Sequence, residues 1–106
     1  MQRNRLSLLH DLPCIACTLE RCTQPLRTEA HHIVSQSYRK HSGGDAATIP
    51  LCSWHHRGEL LYPLSSREMT ELYGPSFARQ KRAFIANYGT ERELLALTNK
   101  QLERAA

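Results

Sequence analysis

Two matched ligand pairs constrain this chain more than any other feature: Cys14-Ile15-Ala16-Cys17 and Cys52-Ser53-Trp54-His55. Each has the C-x-x-ligand spacing of a knuckle, whose tight turn aims both side chains at one point. Together they predict a tetrahedral Cys3His site for a structural zinc ion, built from Cys14, Cys17, Cys52 and His55. A lone CxxC would leave open the plainer reading of buried thiols and a surface histidine; two matched half-sites argue against it. Cys22 is the rival fourth ligand. If it replaces His55, the imidazole at 55 is released for other chemistry. His55 is preferred, because Cys17 and Cys22 lack knuckle spacing.

The length makes a metal staple reasonable. A chain of 106 residues is enough for one compact domain and buries only a modest core. The expectation is one domain over 1–106, with a knuckle and core over 13–62 and a helical extension over 65–103. Four cysteines could instead form two disulfides in a secreted protein. The N-terminal stretch MQRNRLSLLHDLP argues against that, since its apolar patch is short and is closed by His10 and Asp11. A reducing cytosol is therefore expected, where such cysteines favour metal. No run approaches transmembrane length, so no membrane partner is expected, and nothing calls for a small-molecule cofactor. The net charge of +4 and pI near 9.1 suit a polyanionic partner without establishing one.

Along the chain, residues 3–11 predict a short amphipathic helix that Pro13 ends. Residues 13–28 show little hydrophobic period and predict a loop-rich knuckle. Thr28 to Val34 and Thr48 to Leu51 predict two strands of a hairpin with a long polar loop containing Gly43-Gly44; Pro50 places the second strand at an edge or near a strand end. Ser53 is expected to cap a helix through His55, His56 and Leu60, which Pro63 breaks. Ser65-Ser66-Arg67-Glu68 is a capping box opening a helix with Met69, Leu72 and Tyr73 inward. Gly74-Pro75 is expected to end it and start another, on which Phe77, Phe84, Ile85 and Tyr88 recur at helical spacing, with Gly89 at its end. Thr90 to Glu93 is a second capping box, followed by Leu94, Leu95, Leu97 and Leu102. The fold class is α+β: knuckle, hairpin, then three or four helices. The second zinc half-site starts where a strand becomes a helix, as in a treble-clef-like site.

Two histidine pairs flank this arrangement, His31-His32 in the first strand and His55-His56 at the start of the following helix. With zinc tying the knuckle to that helix, His31, His32 and His56 can converge. The segments CIAC, EAHHIV, TIPLC and CSWHHRG resemble HNH (ββα-metal) endonucleases, and the tail YGPSFARQKRAF with YGTERELLAL resembles their phage recombination-enhancement (Ref-like), RecA-dependent branch. The resemblance covers roughly residues 13–98. It implies a small zinc-stabilised ββα-metal core and hydrolysis of the DNA backbone to 5′-phosphate and 3′-hydroxyl ends. It assigns His31 and His56 as ligands of a catalytic divalent metal and His32 as general base. An imidazole, with an ordinary pKa of about 6.5, suits that task at neutral pH. Imidazole ligands suit a transition metal or zinc better than Mg²⁺, which stays open if phosphate oxygens dominate the shell, so Mg²⁺, Mn²⁺ or Zn²⁺ is expected there. Ala47 stands where the middle Asn of the motif is usual, and no histidine follows His56, so water, phosphate or a carboxylate such as Glu59 completes the shell.

The same resemblance places the hairpin on the minor groove, with Arg39, Lys40, His41 and Arg57 holding phosphates. Arg79, Lys81 and Arg82 form a second basic patch, equally readable as a solvated helix face. Phosphate contacts position without reading sequence, so little sequence preference is expected. Cooperation with a RecA filament is implied by the family alone. Two other readings stay open: a catalytically silent zinc module binding DNA or protein, and a helical interaction protein with a structural zinc.

Overall fold

The computed structural model describes residues 4–33 and 47–105. Their chain order is α1 (Arg5–His10), α2 (Ile15–Glu20), β1 (Thr28–His32), β2 (Thr48–Cys52), α3 (Ser53–Arg57), α4 (Ser66–Tyr73), α5 (Lys81–Tyr88) and α6 (Glu91–Ala105). No described helix is long and apolar enough to cross a membrane.

The hairpin is the centre. β1 and β2 pair antiparallel, with Thr28 opposite Cys52, His31 opposite Ile49 and His32 opposite Thr48. Regular pairing ends at His32, although the Ile33 N–H still donates to the Ala47 carbonyl at 2.9 Å. Val34, and the long loop with Arg39, Lys40, His41, Gly43 and Gly44, lie outside the described residues. Every residue of β2 is buried, because α1, α2 and α6 pack against it and α3 continues from it. Pro50 sits mid-strand, opposite Ala30, rather than at a strand end. A two-stranded sheet leaves each strand one unpaired edge, so a missing N–H on that side breaks no ladder bond.

Arg5 clamps three elements together. Its guanidinium donates to the Thr48 hydroxyl at 2.9 Å and carbonyl at 2.8 Å, and to Asn99 Oδ1 at 2.9 Å. Trp54 is fully buried, and its indole N–H is satisfied by the Gly74 carbonyl at 3.0 Å. Gly74 has φ +87°, and a Cβ there would collide with Tyr88 Oη and Glu20 Oε1.

Both capping boxes form. Ser65 accepts from the Glu68 N–H while Glu68 accepts from the Ser65 N–H, and Thr90 and Glu93 make the same exchange. Elsewhere local pattern misleads. The stretch expected to be a loop-rich knuckle contains α2, whose Ile15, Ala16 and Cys17 are buried. Six residues are too few to show a period, and packing rather than propensity supports so short a helix. Cys52, not Ser53, is the N-cap of α3, and that helix ends at Arg57 instead of running through Leu60. Gly58 stops it in the left-handed region at φ +73°. No helix starts at Pro75; residues 75–80 form a turn tied back by the Phe77 N–H to the His55 carbonyl at 2.8 Å, and α5 begins at Lys81. Leu72 is 56% exposed and does not face the core as its spacing suggested.

Candidate metal centre and histidine cluster

Cys14 caps α2 and Cys17 lies one turn into it; Cys52 closes β2 and His55 lies one turn into α3. Packing α2 against β2 brings the two pairs face to face, with all four ligand atoms within 4.8 Å of one another. His55 Nδ1 is 3.5 Å from Cys14 Sγ and 3.4 Å from both Cys17 Sγ and Cys52 Sγ, and the latter two sulfurs are 3.9 Å apart. Ligands on a zinc tetrahedron with bonds of about 2.3 Å to sulfur and about 2.0 Å to nitrogen would be separated by about 3.8 Å (S to S) and about 3.5 Å (S to N). The donor set and its spacing therefore fit a metal ion such as zinc. His55 Nε2 donates to the Tyr73 carbonyl at 2.8 Å, which leaves Nδ1 as the ligating atom.

The electrostatics point the same way. Hydrogen bonds from Cys14 and Cys52, and burial, push the Cys17 thiol far up, while hydrogen bonds from Cys14 and Cys17 pull Cys52 far down. Burial opposes a charge on His55, yet hydrogen bonds to Cys14 and Cys52 outweigh it and push the group up to about 9. Three thiols this close cannot all ionise unaided; a divalent cation among them removes the conflict. Cys22 is not in this cluster. Its Sγ lies 3.9 Å from the Cys17 carbonyl, and all four cysteines are free thiols.

On the other face of α3 lies a pair of imidazoles. His31 is 5% exposed, and its ring meets that of His56 edge-on at 4.9 Å and that of Phe77 at 4.8 Å. His32, the next residue on β1, is exposed, as alternation along a strand requires beside a buried neighbour. His31 and His56 are thus brought together, and His32, the residue after His31, ends β1.

Each of the paired rings is anchored by a carboxylate. His31 Nε2 is 2.8 Å from Glu91 Oε2, and His56 Nδ1 is 2.9 Å from Glu29 Oε1. Glu29 also accepts from Arg57 at 3.0 and 2.8 Å; Arg57 and then His56 hold its carboxyl below the usual range, against burial. Burial, with repulsion from His31 and Arg57, lowers His56 despite Glu29. His56 is therefore held toward the neutral imidazole that a metal ligand must be.

Neither carboxylate was singled out from the sequence. Glu29 carried a usable signal, since it lies two residues before His31 and shares its face of the strand. Glu91 carried none, being 60 residues from its partner in the chain. Glu59, the expected helper, is instead exposed and paired with Arg57 at 3.2 Å.

The basic candidates divide. Arg57 is engaged by Glu29 and Glu59. Arg79 Nε donates to the Gly58 carbonyl at 2.9 Å and so braces the end of α3. The Lys81 ammonium lies 5.4 Å from the Phe77 ring centroid, and Arg82 is exposed.

Comparison with known proteins adds the identity. No curated protein and no solved structure matches the chain. A family described as "Recombination enhancement, RecA-dependent nuclease" matches residues 1–103, nearly the whole of it. The chain belongs to the recombination-enhancement, RecA-dependent nuclease family.

Proposed function

We propose that this nuclease is a metal-dependent DNA endonuclease or nickase of HNH (ββα-metal) type, with His31 and His56 holding the catalytic divalent cation and His32 acting as general base. The observation that carries the reading is the edge-on pair of His31 and His56 at 4.9 Å, each with its second ring nitrogen tied to a carboxylate. Imidazoles anchored in this way are how proteins orient metal ligands. A divalent cation held there supplies charge neutralisation at the scissile phosphate and stabilisation of the leaving oxygen.

The chain's own residues do the rest. His32 is exposed at the end of β1, where water and a phosphate can reach it. A neutral ring nitrogen of His32 takes a proton from the attacking water as its oxygen bonds to phosphorus; the P–O3′ bond breaks and the departing oxygen takes a proton from solvent, leaving a 5′-phosphate and a 3′-hydroxyl. The Cys14, Cys17, Cys52 and His55 site holds structural zinc and fixes α2 to the β2–α3 junction, so that His56, the residue after His55, keeps its place. Basic residues of the hairpin loop (Arg39, Lys40, His41) with Arg57, Lys81 and Arg82 contact phosphates, and a RecA filament directs the enzyme to its DNA. The whole of residues 1–106 acts as one nuclease domain.

The test is cleavage of supercoiled plasmid with Mg²⁺ or Mn²⁺, with and without RecA-coated single strands. His32→Ala is expected to lower the rate by about 10²–10⁴-fold while fold and zinc content persist. Equal rates for mutant and wild type would remove His32 as base. A wild type inactive in every arm would leave a zinc-bearing binding module.

A further inference from the structure

Glu91 is a buried carboxylate whose placement helix capping does not explain. It is the first residue of α6, yet the cap is made by its neighbours Thr90 and Glu93. Glu91 is 7% exposed, and burying a carboxylate is costly unless it is paired. Its partner is His31, at 2.8 Å between Oε2 and Nε2.

That contact determines what else His31 can do. A carboxylate only accepts, so Nε2 carries a proton, and in the neutral ring Nδ1 keeps its lone pair. Among the described residues, His31 Nδ1 is buried with no hydrogen-bond partner. A buried polar atom so left is uncommon and points to a group that binds it. The ring cannot easily turn away, since Phe77 and His56 pack edge-on against it and Glu91 holds its far nitrogen.

We propose that Glu91 is a positioning residue. It fixes His31 in the Nε2–H tautomer, so that Nδ1 is the atom offered to the catalytic divalent cation. This rests on the reading of His31 as a metal ligand and extends it to the C-terminal helix. The helix that buries β2 also sets a ligand on β1, so the nuclease site is complete only when α6 has docked.

The test uses full-length, zinc-loaded protein and two variants, Glu91→Gln and Glu91→Ala. Long-range ¹H–¹⁵N spectra at pH 8 report the histidine tautomers, and loss of signals in His31→Ala assigns those of His31. Electron paramagnetic resonance of free Mn²⁺ gives affinity, and plasmid cleavage is followed across Mn²⁺ concentration. In wild type, His31 is expected to be protonated at Nε2, with its Nδ1 signal broadened by Mn²⁺. Glu91→Ala should lose that tautomer preference and bind Mn²⁺ about 10–100-fold more weakly. Its cleavage should fall at limiting Mn²⁺ and recover at high Mn²⁺, which a merely structural defect would not do. Glu91→Gln keeps an acceptor and the capping box, and is expected to keep the tautomer with intermediate affinity; it carries the test if Glu91→Ala does not fold.

Wild-type His31 protonated at Nδ1, or a folded Glu91 variant that binds Mn²⁺ and cuts like wild type, overturns the proposal. Wild type that shows the Nε2–H tautomer but neither binds Mn²⁺ nor cuts overturns the nuclease reading itself, and the positioning role with it.

Discussion

Single residues decide this protein at the junction of β2 and α3. Cys52 is at once the last residue of β2, the N-cap of α3 and a member of the Cys3His cluster. Two residues after Trp54 the chain reaches His56, so the same short segment serves a buried thiol cluster on one side and the imidazole pair on the other. Cys52→Ser is expected to lose bound zinc and cooperative unfolding, because binding free energy at such a site is folding free energy. Cys22→Ser is expected to keep its zinc and to cost less than about 1 kcal/mol, since Cys22 lies only half-buried beside the cluster. Zinc content and urea denaturation of both variants check this; zinc loss in Cys22→Ser would show the wrong fourth ligand.

At the scale of elements, the helices differ in how they are specified. α4 and α6 are announced by local chemistry: each opens with a reciprocal capping box that satisfies two end N–H groups. α2 and α3 are five or six residues long, and only their packing and the cysteines at their starts hold them. Ser65→Ala is therefore expected to cost about 1 kcal/mol. Backbone N–H donation from Ser65 and Thr90, reinforced by their hydroxyls, lowers the Glu68 and Glu93 carboxyls below their ordinary values. A group lowered in the folded state stabilises it above its unfolded pKa, near 4.3 for Glu, and loses that contribution as pH falls through the lowered value. Urea midpoints measured from pH 6 down to pH 2.5 should fall less steeply for Glu68→Gln and Glu93→Gln than for wild type.

For the molecule as a whole, α6 is the element that closes the structure. It packs on β2, is joined to α1 through Arg5 and Asn99, and delivers Glu91 to His31. Leu94 on this helix is fully buried in the core. Leu94→Ala is expected to cost about 2–5 kcal/mol, a large share of the roughly 5–15 kcal/mol that holds a small domain together. Because α6 also carries Glu91, which contacts His31, the proposed role of His31 predicts that the same variant weakens Mn²⁺ binding in protein that remains folded. Denaturation and Mn²⁺ titration of one sample measure both effects.

The chain's local patterns carried a great deal. Ligand spacing identified the members of the Cys3His cluster, turn and capping residues marked α4 and α6, and two short apolar, partly β-branched runs on either side of a polar Gly43-Gly44 stretch marked the hairpin, because each depends on residues within a few positions of one another. What local pattern could not supply is set by contacts between distant segments. Packing makes a helix of Ile15–Glu20, a glycine in the left-handed region stops α3 at Arg57, and Arg79 braces that stop from 21 residues away. The pairing of His31 with Glu91 across 60 residues belongs to the same class. A hydrogen bond between side chains so far apart leaves no period or spacing to read, and exists only once the helix carrying one of them has docked against the sheet carrying the other.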